Sequence, residues 1–308
     1  MKVYQSVEEF KKVKNAVVTI GTFDGVHAGH QKILTRLKEL AEANKGETVV
    51  LTFFPHPRMV LQPEDNDLKL ITTLEERIFL LHHFGIDHLI VQPFSKEFSR
   101  LSAVEFVRDI LVNSIGMKTL VIGHDHHFGR NREGSYKDLE DFAPVYNFRL
   151  EEIKEEVINE VAVSSTKIRK AVTEGNVRGA NELLHHDFTI AGKVVEGDKL
   201  GRNIGFPTAN ISIAETYKLI PADGIYAVTA TVESKLYKGM LYIGMRPVLK
   251  GKEHRIELNL FDFNRDIYGK EIKVHFKDRI RGDENFESMD KLKEKLKEDK
   301  MHATKMLS

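Results

Sequence analysis

Near residues 184–188 the spacing of apolar side chains changes its period, and a single layered fold does not accommodate both halves. Before that point short apolar runs alternate with helical patterns. Residues 16–20 (AVVTI) form a strand candidate, Gly21 and Gly25 break it, and Ile33, Leu34, Leu37, Leu40 and Ala41 then recur at helical spacing. The alternation continues with strands at 49–53, 88–91 and 119–122 and helices at about 74–84 and 103–112. Strands separated by helices predict a parallel sheet covered on both faces. After Asp187 the chain turns to short strands at 188–195, 224–232, 235–243, 255–261 and 271–276, divided by glycine-rich or charged turns. That succession predicts a small antiparallel barrel, closed by a helix over about 286–297 whose apolar stripe is Met289, Leu292 and Leu296. The expected architecture is an α/β domain over residues 1–186 followed by a β-barrel domain with a terminal helix over 187–308.

A chain of 308 residues suits two such domains, because single cores stop growing at about 250–300 residues. Lysine plus arginine equals aspartate plus glutamate at 46 each, so no overall field draws the chain to nucleic acid or an anionic membrane. The expected partners are small molecules, and any phosphate chemistry rests on local geometry. The sequence has no cysteine, which excludes disulfides, thiolate nucleophiles and cysteine-ligated zinc or iron–sulfur centres. The opening MKVYQSVEEFKK is not basic and then apolar, and no run approaches the roughly 20 apolar residues of a membrane span, so the expected location is cytoplasmic.

Four segments of the first half carry chemistry. Gly21-Thr22-Phe23-Asp24-Gly25-Val26-His27-Ala28-Gly29-His30 lies between a strand and a helix, where free backbone amides and the positive helix end hold phosphate. Gly21 and Gly25 permit a tight turn, Gly29 admits a phosphate to the backbone, and His27 and His30 can stabilise charge developing on phosphate oxygens. The competing reading is that both histidines cap or pack the helix start; two nitrogens do not complete a zinc site. The stretch from Gly123 to Gly134 (GHDHHFGRNREG) follows a strand, and there Asp125 can orient a polar group while Arg130 or Arg132 pairs with phosphate. His124, His126 and His127 carry a rival reading as a metal cluster. In SSTKIR, Ser165 or Thr166 can donate to phosphate at a helix start and Arg169 can stabilise a triphosphate or departing pyrophosphate. In FFPHP, Phe54 can wall an aromatic pocket, with Phe53 equally readable as core.

The second half carries a different solution. Gly192, Gly197, Gly201 and Gly205 allow a close backbone path around phosphates, Arg202 stands among them, and Pro207 leads into Thr208 and Asn210, two oxygen donors suited to Mg²⁺. On the strand candidate at 255–261, Glu257 shares a face with Arg255 and Asn259, opposite Ile256, Leu258 and Leu260, so its carboxylate can enter a polar site while the other face packs. Arg281, in IRGDENF, can serve a phosphate or solubilise its loop.

The G-x-F-D-G-x-H-x-G-H stretch resembles the HxGH motif of adenylyl- and cytidylyltransferases, especially bacterial FAD synthetases, and the Gly123–Gly134, SSTxIR and FxPHP segments resemble the same family. The glycine series running into GFPTAN, with the strand bearing Glu257, looks like the riboflavin kinase module. Together the order is similar to that of the bifunctional bacterial riboflavin kinase and FAD synthetase family. The resemblance implies a Rossmann-like nucleotidyltransferase domain before the barrel. It also implies that ATP phosphorylates riboflavin to FMN and ADP in the second half, with Glu257 as general base. FMN then attacks a second ATP in the first half, giving FAD and pyrophosphate, with His27, His30 and Arg169 stabilising the transferring phosphorus and Mg²⁺ assisting in both. It implies that Gly21, Phe23, Asp24, Gly29, Phe54, Asp125, Arg130, Arg132, Ser165 and Thr166 border the first site. Three positions depart from the family pattern: Tyr242 and Val248 stand where asparagine and threonine are common, and Asn259 where a histidine is expected. A chain with one inactive module, or one that binds flavin or nucleotide without turnover, is the alternative expectation.

Overall fold

The computed structural model describes residues 1–64, 68–123, 126–153, 163–197, 201, 205–248 and 251–308. They form two compact units, Met1–Leu68 with Thr72–Ser164, and Lys69–Ile71 with Ser165–Ser308.

The first unit is built on six parallel strands: β1 (Lys2–Tyr4), β2 (Val17–Ile20), β3 (Thr48–Phe54), β4 (His88–Pro93), β5 (Thr119–Gly123) and β6 (Arg149–Ile153), in the order β1-β4-β3-β2-β5-β6. Its helices are α1 (Ala28–Ala43), α2 (Pro57–Leu61), α3 (Leu74–Phe84), α4 (Ala103–Glu105) and α5 (Tyr136–Tyr146). The central strands are apolar along their whole length because successive side chains enter two different cores. Val18, Leu51 and Leu120 meet Phe106, Leu111 and Leu139 on one face, and Val17, Val50 and Val121 meet Leu34, Leu37 and Leu81 on the other. The helix expected at 103–112 runs on from α4 as a π-helical stretch, Phe106–Ile115, ended by left-handed Gly116. β1, β6 and α5 were absent from the sequence expectation. β1 and β6 are the edges of the sheet, and their exposed residues dilute the apolar signal.

The second unit is a closed six-stranded barrel, β7 (Thr189–Val195), β8 (Ala209–Ser212), β9 (Gly224–Val232), β10 (Lys235–Val248), β11 (Gly251–Leu260) and β12 (Glu271–Arg281), in the order β10-β11-β8-β7-β12-β9. Five of these were expected; β8, four residues long, was hidden behind the glycine-rich stretch. Helices α6 (Ser165–Thr173) and α7 (Val177–Leu184) belong to this unit. Asn181 of α7 donates from Nδ2 to the Phe276 carbonyl at 2.8 Å and accepts from the Phe188 amide at 2.6 Å. Tyr226 and Phe276 meet edge-to-face inside the barrel, while Ile225, Ala227 and Met240 face outward under α8 (Met289–Met306). This helix extends beyond the expected 286–297, and its contact face is Leu296, Asp299, Ala303 and the following Leu307. Met289, expected in the apolar stripe, is exposed because the packed turns lie further along.

Candidate active sites

Strand β2 lies between β3 and β5, so successive crossovers leave it in opposite directions. The loops after β2 and β5 therefore emerge at the switch point, where open parallel sheets bind ligands. The first of them begins with Gly21, whose amide donates to the Leu51 carbonyl at 3.1 Å. Phe23 follows in the left-handed region (φ 49°) with its ring buried in the α1-side core. Asp24 is also buried. Its Oδ1 accepts from the Thr72 amide at 3.0 Å and the Thr72 hydroxyl at 3.2 Å, and the Gly25 amide donates to Thr72 Oγ1 at 3.0 Å, so this carboxylate anchors the turn.

His27 is the N-cap of α1, with Nδ1 accepting from the His30 amide at 3.4 Å. An accepting Nδ1 leaves the proton of the neutral ring on Nε2, a donor. The His27 and His30 rings stack with centroids 3.7 Å apart at 17°, and the Phe23 ring lies 5.0 Å from that of His30. His30 Nδ1 is buried with no protein hydrogen-bond partner. Burial above all, then His27 and then Arg77, pushes the His30 imidazole well below its ordinary 6.5. At neutral pH it is an uncharged donor and acceptor. Gly29 is buried in the first turn of α1, beside the helix-start amides.

Arg77 escaped the sequence reading. It is the largest fully buried side chain, on α3, with Nη1 3.3 Å from Thr52 Oγ1 and 3.4 Å from the Phe53 carbonyl. Its one sequence signal is an arginine on the helical face shared with Leu74, Ile78 and Leu81.

The loop after β5 is closed by a two-way bridge between Phe128 and Gly134, with amide–carbonyl distances of 3.1 and 2.9 Å. It presents Arg130 and Arg132, both exposed on a 3₁₀ turn, with Arg130 Nε donating to Glu133 at 3.1 Å. His124 and Asp125 lie outside the described residues. Among the described residues no three histidine or carboxylate groups converge as a metal site. Phe53 joins the sheet core, and half-buried Phe54 packs against the α1-side core. Ser165, Thr166 and Arg169 stand at the start of α6 in the second unit, where Arg169 Nε donates to the Lys69 carbonyl at 2.9 Å and Ile168 turns into the core.

On the barrel, register brings a second set together. Asn210 of β8, Glu257 of β11 and Tyr242 of β10 are consecutive cross-strand partners and share the outer face. Thr208 Oγ1 donates to Glu257 Oε2 at 3.2 Å, and Asn259 Nδ2 donates to the Pro207 carbonyl at 2.7 Å. Gly197 permits this arrangement, since a Cβ there would stand 2.0 Å from Asn210 Nδ2. Gly192 lies where β7 meets Ser212, and Gly201 accepts from the Phe206 amide at 2.8 Å. Gly205 takes the left-handed conformation at φ 83°. Arg202 and the side chain of Val248 lie outside what is described. The Tyr242 ring lies along its strand over Gly244, and its hydroxyl donates to Asp283 at 3.3 Å. Arg281 is committed to Asp299 of α8 through contacts of 2.8–3.1 Å from Nε and Nη2, which gives it a docking role. A cleft of about 370 Å³ borders Asn210 where β8 and β11 part. One carboxylate and two neutral side-chain oxygens, on Glu257, Thr208 and Asn210, fit a hard cation that keeps waters and takes phosphate oxygens.

Residues 9–167 match the FAD synthetase family model and residues 184–307 the riboflavin kinase model. The bifunctional riboflavin kinase/FMN adenylyltransferase of Buchnera aphidicola subsp. Schizaphis graminum is 37% identical, covering 97% of this chain and 96% of its own. The Bacillus subtilis protein of the same description is 36% identical, with coverage of 95% and 93%. A crystal structure described as a macrolide-efflux protein from Streptococcus pneumoniae is 32% identical, with a TM-score of 0.88 and 98% of both chains covered. No described helix here is long and apolar enough to cross a membrane. Matched along both halves, the chain belongs to the family of bifunctional riboflavin kinase/FMN adenylyltransferases.

Proposed function

We propose that the chain phosphorylates riboflavin to FMN on its barrel and adenylylates FMN to FAD at the stacked histidines, with residues 187–308 and 1–186 as the respective modules. The observation that carries the reading is that each family segment has its own polar cluster on its own hydrophobic core: His27 and His30 at a helix start, and Glu257 with Thr208 and Asn210 on a strand face.

In the first reaction Glu257 takes the proton of the terminal ribityl hydroxyl as that oxygen attacks the γ-phosphorus of ATP. An O–P bond forms, the bond to the bridging oxygen breaks, and ADP leaves. The Thr208 hydroxyl, donating to Glu257 Oε2, holds the carboxylate in place. In the second reaction an FMN phosphate oxygen, ionised at neutral pH, attacks the α-phosphorus of ATP and pyrophosphate leaves, so no base is required. His27 Nε2–H and the neutral His30 ring donate to phosphate oxygens whose charge grows as the bonds change, beside the α1 amides. Arg130 and Arg132 supply positive charge for the triphosphate, a part supported by the FAD synthetase match over residues 9–167, which also takes in Ser165 and Thr166 and stops short of Arg169. Thr208 and Asn210 would hold Mg²⁺, whose charge would neutralise phosphate oxygens. Asp24 serves the first site by fixing the turn that carries His27.

His30→Ala is expected to slow FAD formation from supplied FMN by about a hundredfold, the scale of a lost charge-stabilising donor, while riboflavin phosphorylation continues. Glu257→Gln is expected to do the reverse. A time course of riboflavin, FMN and FAD with ATP and Mg²⁺ measures both. Equal loss of the two reactions in either variant rejects the assignment.

A further inference from the structure

We propose that Asn259 is a positioning residue of the riboflavin-phosphorylating site, acting on Thr208 and Glu257 through the Pro207–Thr208 peptide. The inference rests on the reading of Glu257 as general base. Among the described residues β11 and β8 share two registered pairs, Leu258 with Ala209 and Glu257 with Asn210. Pro207 has no N–H to donate, which deprives the strand of a ladder bond as it enters the sheet. Two side chains take over where the ladder stops. Asn259 Nδ2 holds the Pro207 carbonyl at 2.7 Å, and Thr208 Oγ1 reaches Glu257 Oε2 at 3.2 Å.

Asn259 suits this role by burial and by chemistry. It is 6% exposed, and it projects from the same strand face as Glu257, two residues along. A carbonyl only accepts, so the amide must present its NH₂ to Pro207, and that fixes the orientation of the whole side chain. The peptide it clasps carries the nitrogen of Thr208, so the clasp sets the backbone from which Thr208 Oγ1 is aimed at the base. Asparagine here therefore holds the Pro207 carbonyl by a side-chain bond at the point where proline offers the ladder no N–H.

The isosteric change Asn259→Asp replaces the donor with a carboxylate oxygen facing a carbonyl oxygen. Asn259→His restores a donor, since imidazole Nδ1–H is as many bonds from Cα as the asparagine nitrogen. With the full chain, kcat for riboflavin phosphorylation in Asn259→Asp is expected to fall about tenfold or more, with KM for riboflavin within about threefold of the parent, as for a misplaced rather than missing group. Amide hydrogen exchange at Thr208–Asn210 should accelerate without nucleotide, FMN adenylylation should be unchanged, and Asn259→His should recover most of the turnover. If Asn259→Asp loses exchange protection throughout β9 and β12, Asn259→Ala takes its place and the same fall is required. Turnover within about twofold of the parent in the folded variant, while Glu257→Gln is inactive, overturns the role of Asn259 and leaves the base intact. Turnover retained in Glu257→Gln overturns both.

Discussion

His30 holds its imidazole where burial, His27 and Arg77 all oppose a proton. Because its folded value lies below the unfolded 6.5, the unfolded chain takes up that proton first as pH falls. The contribution to stability is therefore level above the unfolded value and declines as pH drops through it toward the folded one. Replacing the ring by an amide in His30→Gln is expected to shrink the loss of stability between about pH 7 and pH 5, measured by denaturant unfolding of the parent and variant side by side. An undiminished loss would mean that other groups carry it. At this scale the placement of the two histidines at a helix start and of Glu257 on a strand was legible, because residue type, spacing and the neighbouring strand or helix are all local. The Thr72 partner of Asp24 and the presence of Arg77 beside His30 were not, since the sheet brings together residues some fifty positions apart and no local pattern encodes that.

Among the elements, α8 depends most on one polar contact. Asp299 is 1% exposed and Arg281 is 12% exposed by side chain, and their paired contacts join the helix to β12 beneath a mostly charged surface. Removing one member of such a pair leaves the other desolvated and uncompensated. Asp299→Ala is expected to destabilise the second unit by about 3 kcal/mol and to release α8 first, seen as faster hydrogen exchange from Met289 to Met306 than in the barrel strands. Unchanged exchange in the helix would contradict a docking role for the pair. Long central strands and well-capped helices were readable, as at α3, where Thr73 and Glu76 form a capping box and Gly85 ends the helix. Short β8 and the edge strands were not, because a four-residue strand beside proline and glycine, or one with a solvated face, lacks enough periodic residues to stand out. The true length of α8 was concealed for a related reason: its buried face includes Asp299, a residue that reads as solvent-facing until Arg281 is set opposite it.

For the whole molecule, the change of apolar period near residues 184–188 separated sheet chemistry from barrel chemistry, while packing draws α6 and α7 to the barrel through Asn181 and the buried Val177, Ala180 and Leu184. Ser165 to Arg169 of the SSTKIR segment thus pack with the second unit although the FAD synthetase match extends to residue 167. If the two sites operate separately, FMN released by one is taken up by the other through solvent. Mixing the His30→Ala and Glu257→Gln proteins with riboflavin, ATP and Mg²⁺ tests this most directly. Neither variant alone should carry riboflavin efficiently to FAD, whereas the mixture should, with FMN appearing before FAD. A mixture that forms no more FAD than the two variants apart would contradict independent sites.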